Sequence, residues 1–224
     1  MVKAVFLDFY GTVVHEDGEI IKKITDIVME TGHVTDRGRV GAFWWREFQT
    51  MCTNAHGADF ETQRALEYRS LDRTLKEFQS TADAAALSEM MFAHWVKPPI
   101  FEESKAFFER CPVPVYLVSN IDTADLLSAL SYHGLKPAGV FTSEAARAYK
   151  PRKELFELAL TSAGRKPEEA VHIGDSLSSD VKGASACGIP ALWLNRQKRE
   201  IPEGVIAIHN LLELFDTERS FLSM

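Results

Sequence analysis

Five side chains stand where the local pattern lets them act together: Asp8, Ser119, Asn120, Lys150 and Asp175. The apolar run Ala4-Val5-Phe6-Leu7 ends abruptly on Asp8, Val115-Tyr116-Leu117-Val118 ends on Ser119-Asn120, and Ala170-Val171-His172-Ile173 ends on Gly174-Asp175. Short apolar runs closed by turn signals read as buried strands of an α/β sheet. Ligands of such sheets lie beyond the carboxyl ends of the strands. The three polar termini therefore converge on one mouth, with Lys150 in a loop just before a helix. A carboxylate placed there can attack phosphorus and form an acyl-phosphate, splitting one hard step into two. The attack brings like charges together, so cations must offset them. Lys150 supplies one. A Mg²⁺ ion between Asp8 and Asp175 would supply the other, since hard oxygen ligands suit it. Without a metal the two carboxylates repel, and one takes up a proton. Ser119 and the Asn120 amide are candidates to hold phosphoryl oxygens, and Thr12 offers a further hydroxyl.

Plainer readings exist for several residues. Asp8, followed by Gly11, also reads as a turn after a strand. His172 lies within a strand and reads as a core histidine. Trp44, Trp45 and Phe48 read as the packing face of a helix, although one face of that helix would look at the mouth if the segment covers it.

These residues need a scaffold. From His15 to about Lys97 nothing reads as a buried strand, and helical periodicity dominates. Ile20, Ile21, Ile24, Ile27 and Val28 share one face of a first helix that stops near Gly32. Ala42 to Phe48 is an aromatic-rich second helix. Phe60 to Phe78 reads as a third and a fourth, and Ala82 to Trp95 as a further one ended by Pro98-Pro99. An insert this long and structured is no loop. The expected organisation is an α/β core made of residues 1–14 and 99–224, with an all-helical unit over residues 15–98 that could serve as a lid excluding water. In the core, strands over Val113–Val118, Val140–Phe141, Ala170–Ile173, Ile189–Leu194 and Val205–Ile208 alternate with helices over Ile121–His133, Lys153–Ser162, Asp180–Cys187 and Asn210–Phe215. Asp122 or Thr123 would cap the first of these helices and Gly134 would stop it. Alternation of this kind predicts right-handed crossovers and a doubly wound parallel sheet.

Composition narrows the class. The chain has 224 residues, 46% apolar and 25% charged, and a net charge of −7. That balance offers no basic footprint for nucleic acid. No apolar run reaches the roughly 18 residues a membrane span needs. Cys52, Cys111 and Cys187 form neither a metal-ligand pattern nor a disulfide framework. Reduced thiols, and the absence of room for a signal peptide before the first strand, predict a cytoplasmic protein with a small-molecule substrate.

The motifs resemble those of the haloacid dehalogenase (HAD) superfamily, in that family's order. Asp8-Phe9-Tyr10-Gly11-Thr12-Val13 is similar to its first motif, Val118-Ser119-Asn120 to its second and Lys150 in Tyr149-Lys150-Pro151 to its third. Gly174-Asp175, with Asp180 five residues after Asp175, is similar to its fourth. The resemblance covers residues 4 to about 196. It implies a Rossmann-like core with a helical cap following the first motif. It also implies that Asp8 is the nucleophile, that Mg²⁺ is bound by Asp8, Asp175 and the Tyr10 backbone carbonyl, and that Asp180 orients Lys150 or the metal.

Tyr10 departs from the pattern. Phosphatases of the family carry a second Asp there as general acid–base, a group worth roughly 10²–10⁴-fold. A phenol with its pKa near 10 replaces it poorly. Packing at the cleft wall is the simpler role for Tyr10, and His15 and Glu16 are alternative acids. The same tyrosine is similar to the 2-haloacid dehalogenase branch. There Asp8 would attack carbon, release halide without a metal, and leave Asp180 to help hydrolyse the ester. Arg37, Arg39 or Arg46 would then orient the substrate carboxylate, although each also reads as a solvated helix residue. That branch has Ser-x-Asn where this chain has Gly174-Asp175, and two like charges about 4 Å apart cost on the order of 4 kcal/mol at an effective dielectric near 20. A Mg²⁺-dependent phosphatase is therefore the first expectation and a metal-independent 2-haloacid dehalogenase the second. A weakly active binding or regulatory module is the third.

Overall fold

The structure, a computed structural model, describes residues 1–215; the last nine residues of the expected core range lie outside the described residues. Six strands form one parallel sheet: β1 (Ala4–Leu7), β2 (Val115–Ser119), β3 (Gly139–Thr142), β4 (Ala170–Gly174), β5 (Ala191–Leu194) and β6 (Ile206–Ile208). Their order is β3-β2-β1-β4-β5-β6. β1 is buried on both faces, which is why its sequence is a continuous apolar run rather than an alternation. Leu7 pairs with Leu117 on one side and Ile173 on the other. Asp8, Ser119 and Asp175 therefore emerge at the same sheet edge, where the strand order reverses around β1.

Four helices lie between β1 and β2 in the chain: α1 (Gly18–Thr31), α2 (Arg37–Asn54), α3 (Gln63–Glu77) and α4 (Ala84–Val96). Asp36, Thr62 and Asp83 cap the last three, each side chain accepting from backbone N–H groups of the first turn. Residues 60–78 hold one helix, not two, preceded by a short 3₁₀ turn at Gly57–Asp59. No Gly or Pro interrupts Gln63–Glu77, so nothing breaks it. Apolar positions at helical spacing, such as Ile24 and Val28, Val40 and Trp44, Leu71 and Leu75, and Met91 and Trp95, join Leu7, Phe9 and Val13 in one buried cluster.

Two chain segments link the helices to the sheet, and they pair with each other. His15 N–H donates to the Pro99 carbonyl (2.8 Å) and Phe101 N–H to the Val13 carbonyl (3.2 Å). A second seam runs along α6 (Thr123–His133). Asp122, one of the two expected caps of that helix, turns its carboxylate to α3 instead, accepting from Gln63 N–H (2.7 Å) and Arg64 N–H (3.0 Å). Beside it the Arg64 guanidinium forms a two-pronged pair with Asp125 (2.8 and 2.6 Å). Gly134 takes the left-handed conformation that ends α6.

The remaining helices are α5 (Ser104–Arg110), α7 (Ser143–Ala146), α8 (Lys153–Ala163) and α9 (Gly183–Ala186). The predicted helix over 180–187 begins earlier, as a π-helical turn at Leu177–Lys182, and the predicted last helix is a 3₁₀ turn at Leu211–Phe215. Cys52, Cys111 and Cys187 are free. Among the described residues, no helix is long and apolar enough to cross a membrane.

Candidate active site

The loop after β1 is shaped to admit a carboxylate. Gly11 has φ +83°, and the chain folds back so that Val13 and Val14 N–H both donate to the Phe9 carbonyl (2.8 and 3.0 Å). A Cβ at Gly11 would stand 2.7 Å from the Asp175 carboxyl carbon, so the glycine is what lets Asp175 approach. Gly174 does the same for Asp180, whose carboxyl carbon would lie 2.2 Å from an added Cβ. The wide turn at Leu177–Lys182 brings Asp180 back over its own start, where Asp180 Oδ2 accepts from Ser176 N–H (3.0 Å).

Lys150 occupies the centre, buried, with all three ammonium protons used. Nζ donates to Asp8 Oδ1 (2.7 Å), Asp180 Oδ1 (2.6 Å) and the Val118 carbonyl (2.8 Å). Its main chain is fixed as firmly. Lys150 N–H donates to Asn120 Oδ1 (2.7 Å), while Asn120 Nδ2 donates to the Lys150 carbonyl (3.1 Å). The Asn120 side chain thus aligns the lysine, and Ser119, buried beside it, also lines the cleft. Behind Asp180, His172 Nε2 approaches Oδ1 at 3.0 Å.

Asp8, Asp175 and Asp180 each present an oxygen within 4.8 Å of the others. Burial alone would raise Asp180, but Lys150 and His172 outweigh it and hold its carboxyl well below the usual range. Lys150 is moved up: burial opposes its charge, and Asp180 and Asp8 more than compensate. Asp8 is raised, chiefly by burial, with Lys150 opposing. Among the described residues Asp175 forms no ion pair, and burial followed by repulsion from Asp8 and Asp180 pushes it up to about 8. The cluster thus sets three carboxyl groups against one ammonium, and a surplus of acid remains around Asp175. The donor set facing that surplus is all oxygen, which suits a hard divalent cation.

The carboxylates open into a cleft of about 990 Å³ whose opposite wall comes from α2, α3 and α4. Tyr10 lines it, but its hydroxyl is spent, donating to the Trp95 carbonyl of α4 (2.6 Å), and burial raises its pKa far above the ordinary phenol. Thr12 is fully buried and is not among the residues lining the cleft; its carbonyl accepts from Arg196 (2.6 Å). Of the two alternative acids, Glu16 lines the cleft rim and His15 stacks on Phe101 at 3.9 Å away from it. Arg37 pairs with Asp26, while Arg39 and Arg46 lie over Phe78 and Phe43; none of the three lines the cleft. Trp44, Trp45 and Phe48 all do.

The sequence reads His172 only as a core residue and Asp122 only as a helix cap, and it does not single out Glu67. His172 is a core residue, but also touches Asp180; only its register one strand from Asp8 could have signalled this. Asp122 ties α3 to the sheet edge, a contact between distant segments that no local pattern records. Glu67 is a buried acid in the cleft wall. Its signal was present, because residues 67, 70, 71 and 74 repeat at helical spacing on the inward face of α3.

Comparison with known proteins agrees with this geometry. Residues 2–188 match the family described as haloacid dehalogenase-like hydrolase. A phosphoserine phosphatase from Thermus thermophilus is 32% identical over 146 residues, 60% of this chain and 57% of that protein. The pyrimidine 5'-nucleotidase YjjG of Escherichia coli is 35% identical over 78 residues, 34% of this chain and 35% of its own length. These alignments span little more than half, or less, of the relatives they match. The fold is similar to that of magnesium-bound HAD-hydrolase YfnB from Bacillus subtilis (TM-score 0.76, 20% identity, covering 100% and 99% of the two chains). It is similar to the same degree to L-2-haloacid dehalogenase from Xanthobacter autotrophicus (TM-score 0.75, 18% identity, covering 98% and 99%). The chain belongs to the haloacid dehalogenase-like hydrolases.

Proposed function

We propose that this hydrolase is a Mg²⁺-dependent phosphomonoesterase acting on a small phosphorylated metabolite, with Asp8 as nucleophile and the helices of residues 15–98 as a cap over the cleft. The observation that carries the reading is Asp175, a second carboxyl group beside the nucleophile that forms no ion pair among the described residues. Asp8, Asp175 and the Tyr10 carbonyl would hold the ion, and the chemistry such an ion supplies when bound is charge neutralisation as an anionic phosphoryl group meets an anionic nucleophile.

The protein's own groups carry the rest. A carboxylate oxygen of Asp8 attacks phosphorus as the ester P–O bond breaks, and the departing oxygen takes a proton. Water then attacks the acyl-phosphate at phosphorus, freeing inorganic phosphate and restoring Asp8. Lys150 favours the ionised form of Asp8 against burial and aims it, Asp180 and Asn120 hold Lys150, and Ser119 offers its hydroxyl to phosphoryl oxygens. Tyr10, engaged with Trp95 and hard to ionise, is assigned to the cleft wall. Glu16 at the rim is assigned as proton donor. Although it reaches solvent, partial desolvation followed by Asp17 and Asp8 raises its carboxyl pKa, which suits an acid.

The dehalogenase reading finds less support. Among the described residues no arginine of residues 15–98 lines the cleft, so that wall offers no guanidinium to a substrate carboxylate. Likeness to dehalogenase structures at 18% identity speaks for the fold alone. A paired assay decides. Phosphate release from an aryl phosphate and halide release from a 2-haloacid are measured with Mg²⁺ and with chelator. Metal-dependent phosphate release is expected, and metal-independent halide release would overturn the assignment. Turnover abolished by Asp8→Asn would set an enzyme apart from a binding module.

A further inference from the structure

Glu67 is a buried acid of the cleft wall that the proposed chemistry leaves without work. It is 4% exposed and lines the cleft from α3. Its Oε1 is buried with no hydrogen-bond partner among the described residues. Burial of such a group without a partner is costly, and proteins seldom retain one without a use for it. Ser70 Oγ donates to the Glu67 main-chain carbonyl (2.9 Å) and accepts from Trp44 Nε1 (3.1 Å), so one hydroxyl joins the α2 indole to the α3 backbone at Glu67.

The surroundings are one-sided in charge. Asp17, held by Trp95 Nε1 (3.2 Å), faces the same space. Trp44, Met91 and Trp95 supply apolar wall. Among the described residues the cations lining the cleft, Lys150, Arg152, Lys182 and Arg199, all come from the α/β core, and none comes from α1–α4. A cleft with its cations on the core side and a carboxyl among indoles on the other suits a ligand anionic at one end and cationic at the other.

We propose that Glu67 forms an ammonium subsite in the cleft, so that the preferred substrate is a phosphomonoester whose alcohol portion carries an amine. The proposal rests on the phosphatase reading for its phosphate end only. Burial followed by Asp17 pushes the Glu67 carboxyl up to about 8, and an incoming ammonium ion supplies the partner that Oε1 lacks among the described residues. Trp44 and Trp95 flank the alkyl chain.

The test compares 3-aminopropyl phosphate with n-butyl phosphate, equal in chain length, using wild-type protein and Glu67→Gln with Mg²⁺. The wild type is expected to favour the amino ester in kcat/KM by about 10- to 100-fold, the range a hydrogen bond to a charged partner commands. Glu67→Gln is expected to bring the ratio close to one. Equal rates on the two esters in the wild type, or a preference that survives Glu67→Gln, would overturn the subsite. In parallel, n-butylammonium and 1-butanol are titrated against the protein while the tryptophan indole N–H resonances are followed by NMR. Saturable shifts with the ammonium ion alone, absent in Glu67→Gln, uphold the subsite even if no ester is hydrolysed, an outcome that would instead defeat the phosphatase reading. No ammonium response in the wild type overturns the proposal.

Discussion

Asp175→Asn separates what this carboxylate costs the protein from what it supplies. In metal-free protein Asp175 is held at about 8 against an ordinary 3.8. The sign follows from proton binding: the folded state holds this proton more tightly than the unfolded state. The penalty is therefore absent below about pH 4, grows between about pH 4 and 8, and is full above pH 8. At 1.36 kcal/mol for each pH unit the full penalty is at most about 5–6 kcal/mol. Asp175 is only partly buried and shares its field with Asp8, so about 1–3 kcal/mol is the expected stabilisation by Asp175→Asn at pH 8. For a chain of this size that is a rise in Tm of about 2–12 °C. Mg²⁺ should reverse the order. At about 1,000-fold over its Kd it adds roughly 4.1 kcal/mol to the wild type and nothing to the variant. Thermal unfolding at pH 5 and pH 8, with chelator and with Mg²⁺, reads all of this. Chelated Asp175→Asn no more stable than wild type at pH 8, or equal Mg²⁺ stabilisation of both, would refute the reasoning.

Lys150→Met should abolish turnover and destabilise the fold by about 3–5 kcal/mol, because it strands buried Asp8 and Asp180. The Asp180 carboxyl, held low by Lys150, contributes stability above its ordinary value that is lost on strong acidification, so the acid limb of the stability profile should be shallower in the variant. Gly11→Ala should weaken Mg²⁺ affinity at least tenfold by calorimetry, since its Cβ would collide with Asp175 and its backbone is left-handed. Tyr10→Phe should cost about 1 kcal/mol of stability, for the lost bond to Trp95, and leave kcat within a few-fold. A hundredfold fall would make Tyr10 the acid. Glu16→Gln should slow alkyl phosphates by about 10²-fold while sparing aryl phosphates, whose leaving groups need no proton.

The sheet and the mouth were legible because buried parallel strands write themselves as apolar runs and the chemistry sits at their ends or one residue past them. Asp8, Ser119 and Asp175 needed only that rule. Lys150 was placed in the right loop, but that Asn120 aligns its backbone depends on two segments meeting across the sheet edge. Thr12 followed the motif in sequence, yet the turn at Gly11 buries it instead of presenting it to the cleft. The merging of two expected helices into α3, and the π-helical turn before Asp180, reflect packing and hydrogen bonding over several residues that periodicity does not encode. Asp122 looked like a local cap and became a bridge to α3 because that helix's N–H groups lay within its reach.

The most direct measurement is mass spectrometry of protein quenched in acid during turnover of a phosphate ester with Mg²⁺. The account predicts the mass of one added phosphoryl group, on the peptide containing Asp8 and absent in Asp8→Asn. Steady-state phosphate release without that adduct, or with it on another residue, would contradict the account.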